Sequence, residues 1–294
     1  MHALPHPSSS APGAALNGRV ALVTGASRGA GRAIAAVLGV AGATVYVTGR
    51  SVRGKPTTQG MPEVIEDTAE EVTRRGGTGI PVRCDHTVDA EVERLFDRIR
   101  GEHGSLDLVV SNAWGGYEAY GDDFDAPFWE QPLSRWDAMF TAGVRSHLLT
   151  SRLAAPLMLE PRPDGHPRLI LTTVAWAFGG FLGNVIYDAA KAAIVRTAYT
   201  MSRELRTHNV AAIALAPGWM RTERVIAAQR EQGFELDGSE SPDYLGRAVG
   251  ALAADKGVMG KAGQVLAVGD LAREYGFSDI DGRQPAAFRI PDEA

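Results

Sequence analysis

A single α/β domain, built on one doubly wound parallel sheet of about seven strands, is the fold this sequence predicts. Three observations carry it. Short apolar runs alternate with helical segments along nearly the whole chain, so neighbouring strands joined by helices must run parallel. The runs are apolar throughout instead of alternating with polar residues, which implies burial on both faces of the sheet. The first run ends in a turn with three glycines, Gly25, Gly29 and Gly31, that opens a helix.

Taken in order, Arg19 to Thr24 (RVALVT) reads as the first strand and the Ala-rich segment Arg32 to Val40 as the first helix. Ala43 to Thr48 is the second strand, followed by a loop over 51–62 broken by Pro and Gly. Glu63 to Arg75 is a charged amphipathic helix and Ile80 to Cys84 the third strand. Val88 to Arg100 places Val92, Leu95, Phe96 and Ile99 on one helical face. Leu106 to Val110 is the fourth strand, and the aromatic-rich stretch Asn112 to Pro132 reads as a loop. Ser134 is expected to cap a long helix running toward Leu159. Arg168 to Thr173 is the fifth strand, Tyr187 to Thr207 a helix and Val210 to Ala216 the sixth strand. Ser241-Pro242-Asp243 starts a helix that runs to about Asp255, with a cap residue, a first-position Pro and an acid in the first turn. Gly263 to Val268 is the last strand, followed by a polar, Pro-containing tail. The first sixteen residues, rich in Pro, Ser and Ala, are expected to be a disordered tail, with one domain from 17 to 294.

The composition, 45% hydrophobic and 22% charged, is that of a globular protein. A net charge of −5 without a basic block argues against a nucleic-acid partner. No apolar run approaches the ~20 residues that span a bilayer, so no membrane partner is expected. The N-terminal stretch lacks the pattern of a secretory signal. The single cysteine, Cys84, suits a reducing cytoplasm. No residues have the spacing of a metal site. His147, His166 and His208 read as surface or packing residues.

Chemistry is suggested first by Tyr187 and Lys191. Residues four apart on a helix lie on the same face, so a phenol stands beside an ammonium that favours the phenolate. Alone, such a pair more often marks a solvated helix face. The glycine turn supplies the second signal. Without side chains the backbone can approach a pyrophosphate, whose charge the helix N-terminus stabilises.

Together these features resemble the short-chain dehydrogenase/reductase family, with its Rossmann-type sheet. Thr24-Gly25-Ala26-Ser27-Arg28-Gly29-Ala30-Gly31 resembles its nucleotide motif and Tyr187 with Lys191 its Y-x-x-x-K motif. Cys84-Asp85 resembles the adenine-contacting Asp after the third strand, and Ser111-Asn112-Ala113 the N-N-A-G stretch after the fourth. Pro217-Gly218 with Thr222 resembles the P-G-x-x-x-T loop after the sixth. Within the family the likeness is closer to the dehydrogenase/reductase member 1 branch. It is carried by Phe128-Trp129-Glu130, by the segment Gly143 to His147 and by the segment Asp270 to Gly276.

The resemblance implies a nicotinamide cofactor held by Gly25, Ser27, Arg28, Gly29, Gly31, Arg50, Asp85, Asn112, Tyr187, Lys191, Pro217, Gly218 and Thr222. Tyr187, Lys191 and Thr173 are the implied catalytic residues, and a homodimer or homotetramer is expected. Three departures stand out. Trp114 takes the last glycine of N-N-A-G, and Gly143 falls where most of the family has a catalytic Asn. Thr173 stands for the family's Ser, one position further from Tyr187; as two β-branched residues, Thr172 and Thr173 also suit a plain strand end.

NADP is expected over NAD. The second strand ends Thr48-Gly49-Arg50 with no acid for the ribose hydroxyls, and Arg28 lies within the glycine turn. Two guanidiniums there suit a 2′-phosphate. Arg53 and Lys55 are further candidates or solvated loop charges. Trp114, Tyr117, Trp176, Phe178, Trp219 and Met220 would line a site for a hydrophobic ketone, aldehyde or alcohol, with 221–240 as a mobile lid; some of them equally suit the core or a subunit contact. The reading is thus a carbonyl reductase or alcohol dehydrogenase. Its rival is a cofactor-binding regulatory protein with weakened catalysis, favoured by the missing Asn and Ser.

Overall fold

The computed structural model describes residues 15–116, 124–160, 162–175 and 180–290. Seven parallel strands form one sheet, in the order β3-β2-β1-β4-β5-β6-β7. They are β1 (Val20–Val23), β2 (Thr44–Gly49), β3 (Thr78–Arg83), β4 (Leu108–Ser111), β5 (Arg168–Thr173), β6 (Val210–Ala216) and β7 (Val265–Ala267). The helices are α1 (Gly29–Val40), α2 (Ile65–Arg74), α3 (Asp89–His103), α4 (Leu133–Met139), α5 (Ser146–Ala154), α6 (Val185–Leu205), α7 (Glu223–Gln232), α8 (Pro242–Ala254) and α9 (Val268–Tyr275). The strand order reverses direction at β1, between β2 and β4. That switch point opens a crevice at the carboxyl ends of the strands.

Both sheet faces are covered, as the apolar runs required. On one face β1, β2, β4, β5 and β6 send Val23, Val45, Val110, Leu171 and Ile213 into a core shared with α1, α2, α8 and α9. On the other, Leu22, Tyr46, Val109, Ile170 and Ala212 meet Val92, Leu95, Phe96 and Ile99 of α3, together with Leu149 of α5 and Leu205 of α6. β3 is an edge strand paired only with β2, and this is why it tolerates Pro81.

The structure adds to or differs from the expectations at six points. Leu16, assigned to the tail, is buried at 3% exposure, and its N–H donates to the Ala41 carbonyl over 2.9 Å. Ser134 caps nothing: α4 begins after Pro132, and Ser134 lies within its first turn. The helix expected from there to Leu159 is interrupted by a π-helical stretch, Phe140–Arg145, that contains Gly143. The expected lid contains α7, whose N-terminus is capped by Thr222 accepting from the Val225 N–H at 3.3 Å. The polar tail begins instead with α9 and folds back onto α8. There Tyr244 donates to the Pro285 carbonyl, and buried Asp279 accepts from the Ser241 N–H at 2.8 Å. The Ser241 hydroxyl also goes to Asp279 and so does not cap α8.

One polar group ties the amino-terminal edge of the sheet together. Asp107, just before β4, is buried and accepts from the Val20 N–H at 2.9 Å. The guanidiniums of Arg19, Arg162 and Arg168 surround the same carboxylate. Asp107→Ala would leave the buried Arg168 guanidinium without its counter-charge. It should cost about 3 kcal/mol in chemical denaturation, in the range for breaking a buried pair.

Candidate active site

The cleft at the carboxyl edge has a volume of about 730 Å³. Its floor is the turn from β1 into α1. Gly25 and Gly29 have φ of +64° and +54°, which side chains rarely adopt. Gly31 is fixed by crowding, since a Cβ there would stand 2.3 Å from the Gly25 carbonyl oxygen and 2.7 Å from Asn112 Nδ2. Asn112 locks β4 to this turn. Its side-chain N–H groups donate to the Thr24 and Gly25 carbonyls at 3.0 and 3.1 Å, and its own N–H donates to the Thr24 hydroxyl at 2.9 Å.

The amino end of α1 already holds a carboxylate. Glu223, the first residue of α7, accepts from the Gly29 N–H at 2.8 Å. The position is therefore suited to an anion, as the free N–H groups of a helix start dictate. Nothing in the sequence pairs Glu223 with Gly29 except its place directly after Thr222.

Of the residues expected at a cofactor site, Gly25, Ser27, Arg28, Gly29, Arg50, Asp85, Asn112, Tyr187, Gly218 and Thr222 line the cleft. Gly31, Thr173, Lys191 and Pro217 do not form its surface. Arg28 is half-buried, donates to the Thr58 carbonyl at 3.0 Å and stands 3.8 Å from Glu63. Arg50 is exposed at the end of β2. Burial would raise the Asp85 pKa, but hydrogen bonds from Thr87 and the nearby Arg50 charge hold it below the ordinary value. Arg53 is engaged with Asp67 and Glu70 on the exposed face of α2, and neither it nor Lys55 reaches the cleft wall.

Tyr187 and Lys191 stand one turn apart on α6, as their spacing demands. The N-terminus of α6 is set by Asn184, which accepts from the Tyr187 N–H at 2.9 Å. Asn184 in turn donates to the Phe124 carbonyl at 2.7 Å and to Gln131 at 2.8 Å, so the helix start is fastened to the segment before α4. Lys191 is only 7% exposed, and burial lowers its pKa from 10.5 to about 7. Its Nζ stands 3.4 Å from the centroid of the Trp114 ring and 5.3 Å from that of Tyr187. The Trp114 and Tyr187 rings meet edge to face at 5.5 Å. A desolvated ammonium over an indole is an attractive contact of about 2 kcal/mol.

Trp114 also accounts for Gly143. A Cβ at Gly143 would lie 2.4 Å from the Trp114 ring. The two departures from the family pattern are thus one: the indole fills the room that a side chain at 143 would need. The Thr173 hydroxyl is turned to β4, within 3.3 Å of the Asn112 Oδ1 and 3.5 Å of the Ser111 carbonyl.

Of the expected substrate wall, Trp114, Trp219 and Met220 line the cleft. Tyr117, Trp176 and Phe178 lie outside the described residues. The sequence reading missed Arg135, whose guanidinium borders the same cleft from α4 at 1% exposure. Of the two readings of His147, surface or packing, it is buried at 3% exposure and bonded to the Ala113 carbonyl at 2.9 Å. Among the described residues no His, Cys, Asp and Glu cluster could hold a metal, and no helix is long and apolar enough to cross a membrane. Cys84 is buried and its thiol pKa is pushed up to about 12 by desolvation, so it is no nucleophile.

Comparison with known proteins agrees with this layout. A family profile described as short chain dehydrogenase matches residues 19–233. The chain is 38% identical over 284 residues to dehydrogenase/reductase SDR family member 1 of Mus musculus, covering 92% of this chain and 86% of that protein. Identity to the Homo sapiens protein of the same name is 35% over the same shares. The crystal structure of a short chain dehydrogenase from Burkholderia cenocepacia J2315, in complex with NADP, superposes with a TM-score of 0.67. It is 25% identical and covers 85% of this chain and 96% of its own.

The Trp114–Gly143 contact is open to a double-mutant cycle. Gly143→Asn should destabilise the protein by about 2 kcal/mol or more through overpacking, and Trp114→Gly should relieve most of that cost. Thermal unfolding of the two single variants and the double variant measures the coupling.

Proposed function

The chain belongs to the short-chain dehydrogenase family, and from that premise we propose that it is an NADP(H)-dependent oxidoreductase. On this reading it interconverts a hydrophobic ketone or aldehyde and its alcohol. The observation that carries the reading is half-buried Tyr187 on the wall of a cleft, with buried Lys191 one turn behind it, and a glycine turn in the same cleft that already holds an anion.

The residues present fit a dinucleotide. The turn admits no Cβ at Gly31, and the α1 amino end accepts a carboxylate, so a pyrophosphate suits the place on space and on charge. Glu223 has to leave Gly29 when that anion binds. Arg28 and Arg50 are the proposed holders of the 2′-phosphate, Asp85 faces the adenine, and Asn112, Pro217, Gly218 and Thr222 complete the cradle. When bound, the nicotinamide supplies or takes up the hydride. Tyr187 gives its phenolic proton to the carbonyl oxygen in reduction and takes it back in oxidation. The Lys191 ammonium stabilises the phenolate that remains. Thr173 reaches the site only by exchanging its present partners on β4 for the substrate oxygen.

The apolar substrate follows from Trp219 and Met220 on the described wall. A homodimer or homotetramer would use α5 and α6, where Leu148 and Tyr199 are exposed.

Tyr187→Phe should lower kcat at least ~100-fold while NADPH binds within ~3-fold of wild type, because only the proton donor is removed. Turnover of a ketone and aldehyde panel, followed by NADPH absorbance, checks it. NADPH should bind more tightly than NADH in fluorescence titration, and Arg50→Ala should narrow the gap by ~10-fold. Tighter binding of NADH would overturn the cofactor assignment. The low Lys191 pKa gives the pH dependence. Lys191 is charged below about 7 and neutral above it, so the phenolate loses its stabilising charge as pH rises. Reductive kcat/KM should therefore fall as pH passes upward through about 7, read from a pH–rate profile.

A further inference from the structure

We propose that His147 is a positioning residue for Lys191: its Nδ1 lone pair takes a hydrogen bond from the Lys191 ammonium through one bridging water. The inference rests on Tyr187 and Lys191 being the reacting pair. It assigns to α5 the support that a residue at Gly143, one turn earlier, does not give.

The tautomer follows from the partner. The Ala113 carbonyl can only accept, so His147 Nε2, at 2.9 Å from it, carries the hydrogen. Nδ1 is then a bare lone pair. It is buried, and among the described residues it has no hydrogen-bond partner. A buried acceptor left so costs roughly 1–3 kcal/mol. Lys191 presents the complementary deficit. An ammonium has three N–H donors, and this one stands over the rings of Trp114 and Tyr187. Among the described residues no oxygen accepts from it. The two groups lie close enough that the Lys191 charge lowers the His147 pKa.

Proximity is supported by connectivity. His147 is bonded to Ala113, and the next residue, Trp114, carries the ring on which the ammonium rests. The imidazole is also the right chemical species. Burial, reinforced by Lys191, pushes its pKa down to about 3, and His86, the other titratable group near it, is held near 4 by burial. Neither becomes a competing cation at neutral pH, so the lone pair stays available.

The proposal differs from a packing role in what it predicts. His147→Leu keeps apolar bulk and loses the acceptor, which favours neutral Lys191. The alkaline limb of reductive kcat/KM should move to lower pH by ~0.5 unit or more, and kcat at pH 7.5 should fall by ~10-fold. NADPH affinity should stay within ~2-fold. His147→Gln, whose carboxamide offers both a donor for Ala113 and an acceptor for Lys191, should restore the limb. A limb unmoved in His147→Leu, or moved equally in His147→Gln, overturns the proposal.

A second measurement needs no turnover. In ¹⁵N-histidine NMR of the whole protein, His147 should show a pyridine-type Nδ1 at a hydrogen-bonded shift, and Lys191→Met should return it to the unbonded shift. An unbonded Nδ1 in the wild type, or a shift indifferent to Lys191→Met, refutes the contact. If the wild type turns over no carbonyl at all, the enzymatic reading fails separately, and the Nδ1 resonance still decides whether His147 holds Lys191.

Discussion

The contact between the Lys191 ammonium and the Trp114 indole is the constraint around which the candidate site is arranged. It places a large ring where a loop glycine would leave space, and so requires a glycine at 143. It brings the Tyr187 ring edge-on to the same indole. It keeps Lys191 away from water, and that burial alone lowers the ammonium's pKa to about 7. One bulky side chain therefore crowds the pocket at Gly143 and lies under the lysine whose ammonium burial destabilises.

The second constraint is electrostatic. The turn after β1 offers N–H groups at a helix start, and in this structure Glu223 answers one of them. A pyrophosphate carries more charge than a carboxylate but cannot share the position with it. On the proposed function, binding moves the start of α7, which follows directly from the loop bearing Trp219 and Met220. On the proposed function, Thr222, the cap of α7, lies between the cofactor cradle and the apolar wall.

Much of the fold was legible because burial on both faces writes continuous apolar runs into the chain. β5 and β6 fall where Arg168–Thr173 and Val210–Ala216 place them. The failures have local causes. α7 buries none of its side chains, so it left no apolar stripe to read. α9 follows β7 with no turn residue between them, so no break marked its start and its charged residues read as a polar tail. Ser134 has the right chemistry for a cap, but Pro132 ends the preceding loop and starts the helix first.

By itself, the sequence determined what depends on spacing along the chain. The Tyr187–Lys191 pair shares a helix face because four residues make about one turn, and the glycines mark their turn because no other residue fits. Only the tertiary structure decided what depends on residues distant in sequence. That Trp114 fills the room beside Gly143, that Glu223 caps Gly29 and that His147 is bonded to the Ala113 carbonyl are matters of packing between separate elements. No local pattern records them, because each is settled by which strand ends the sheet order brings to one edge.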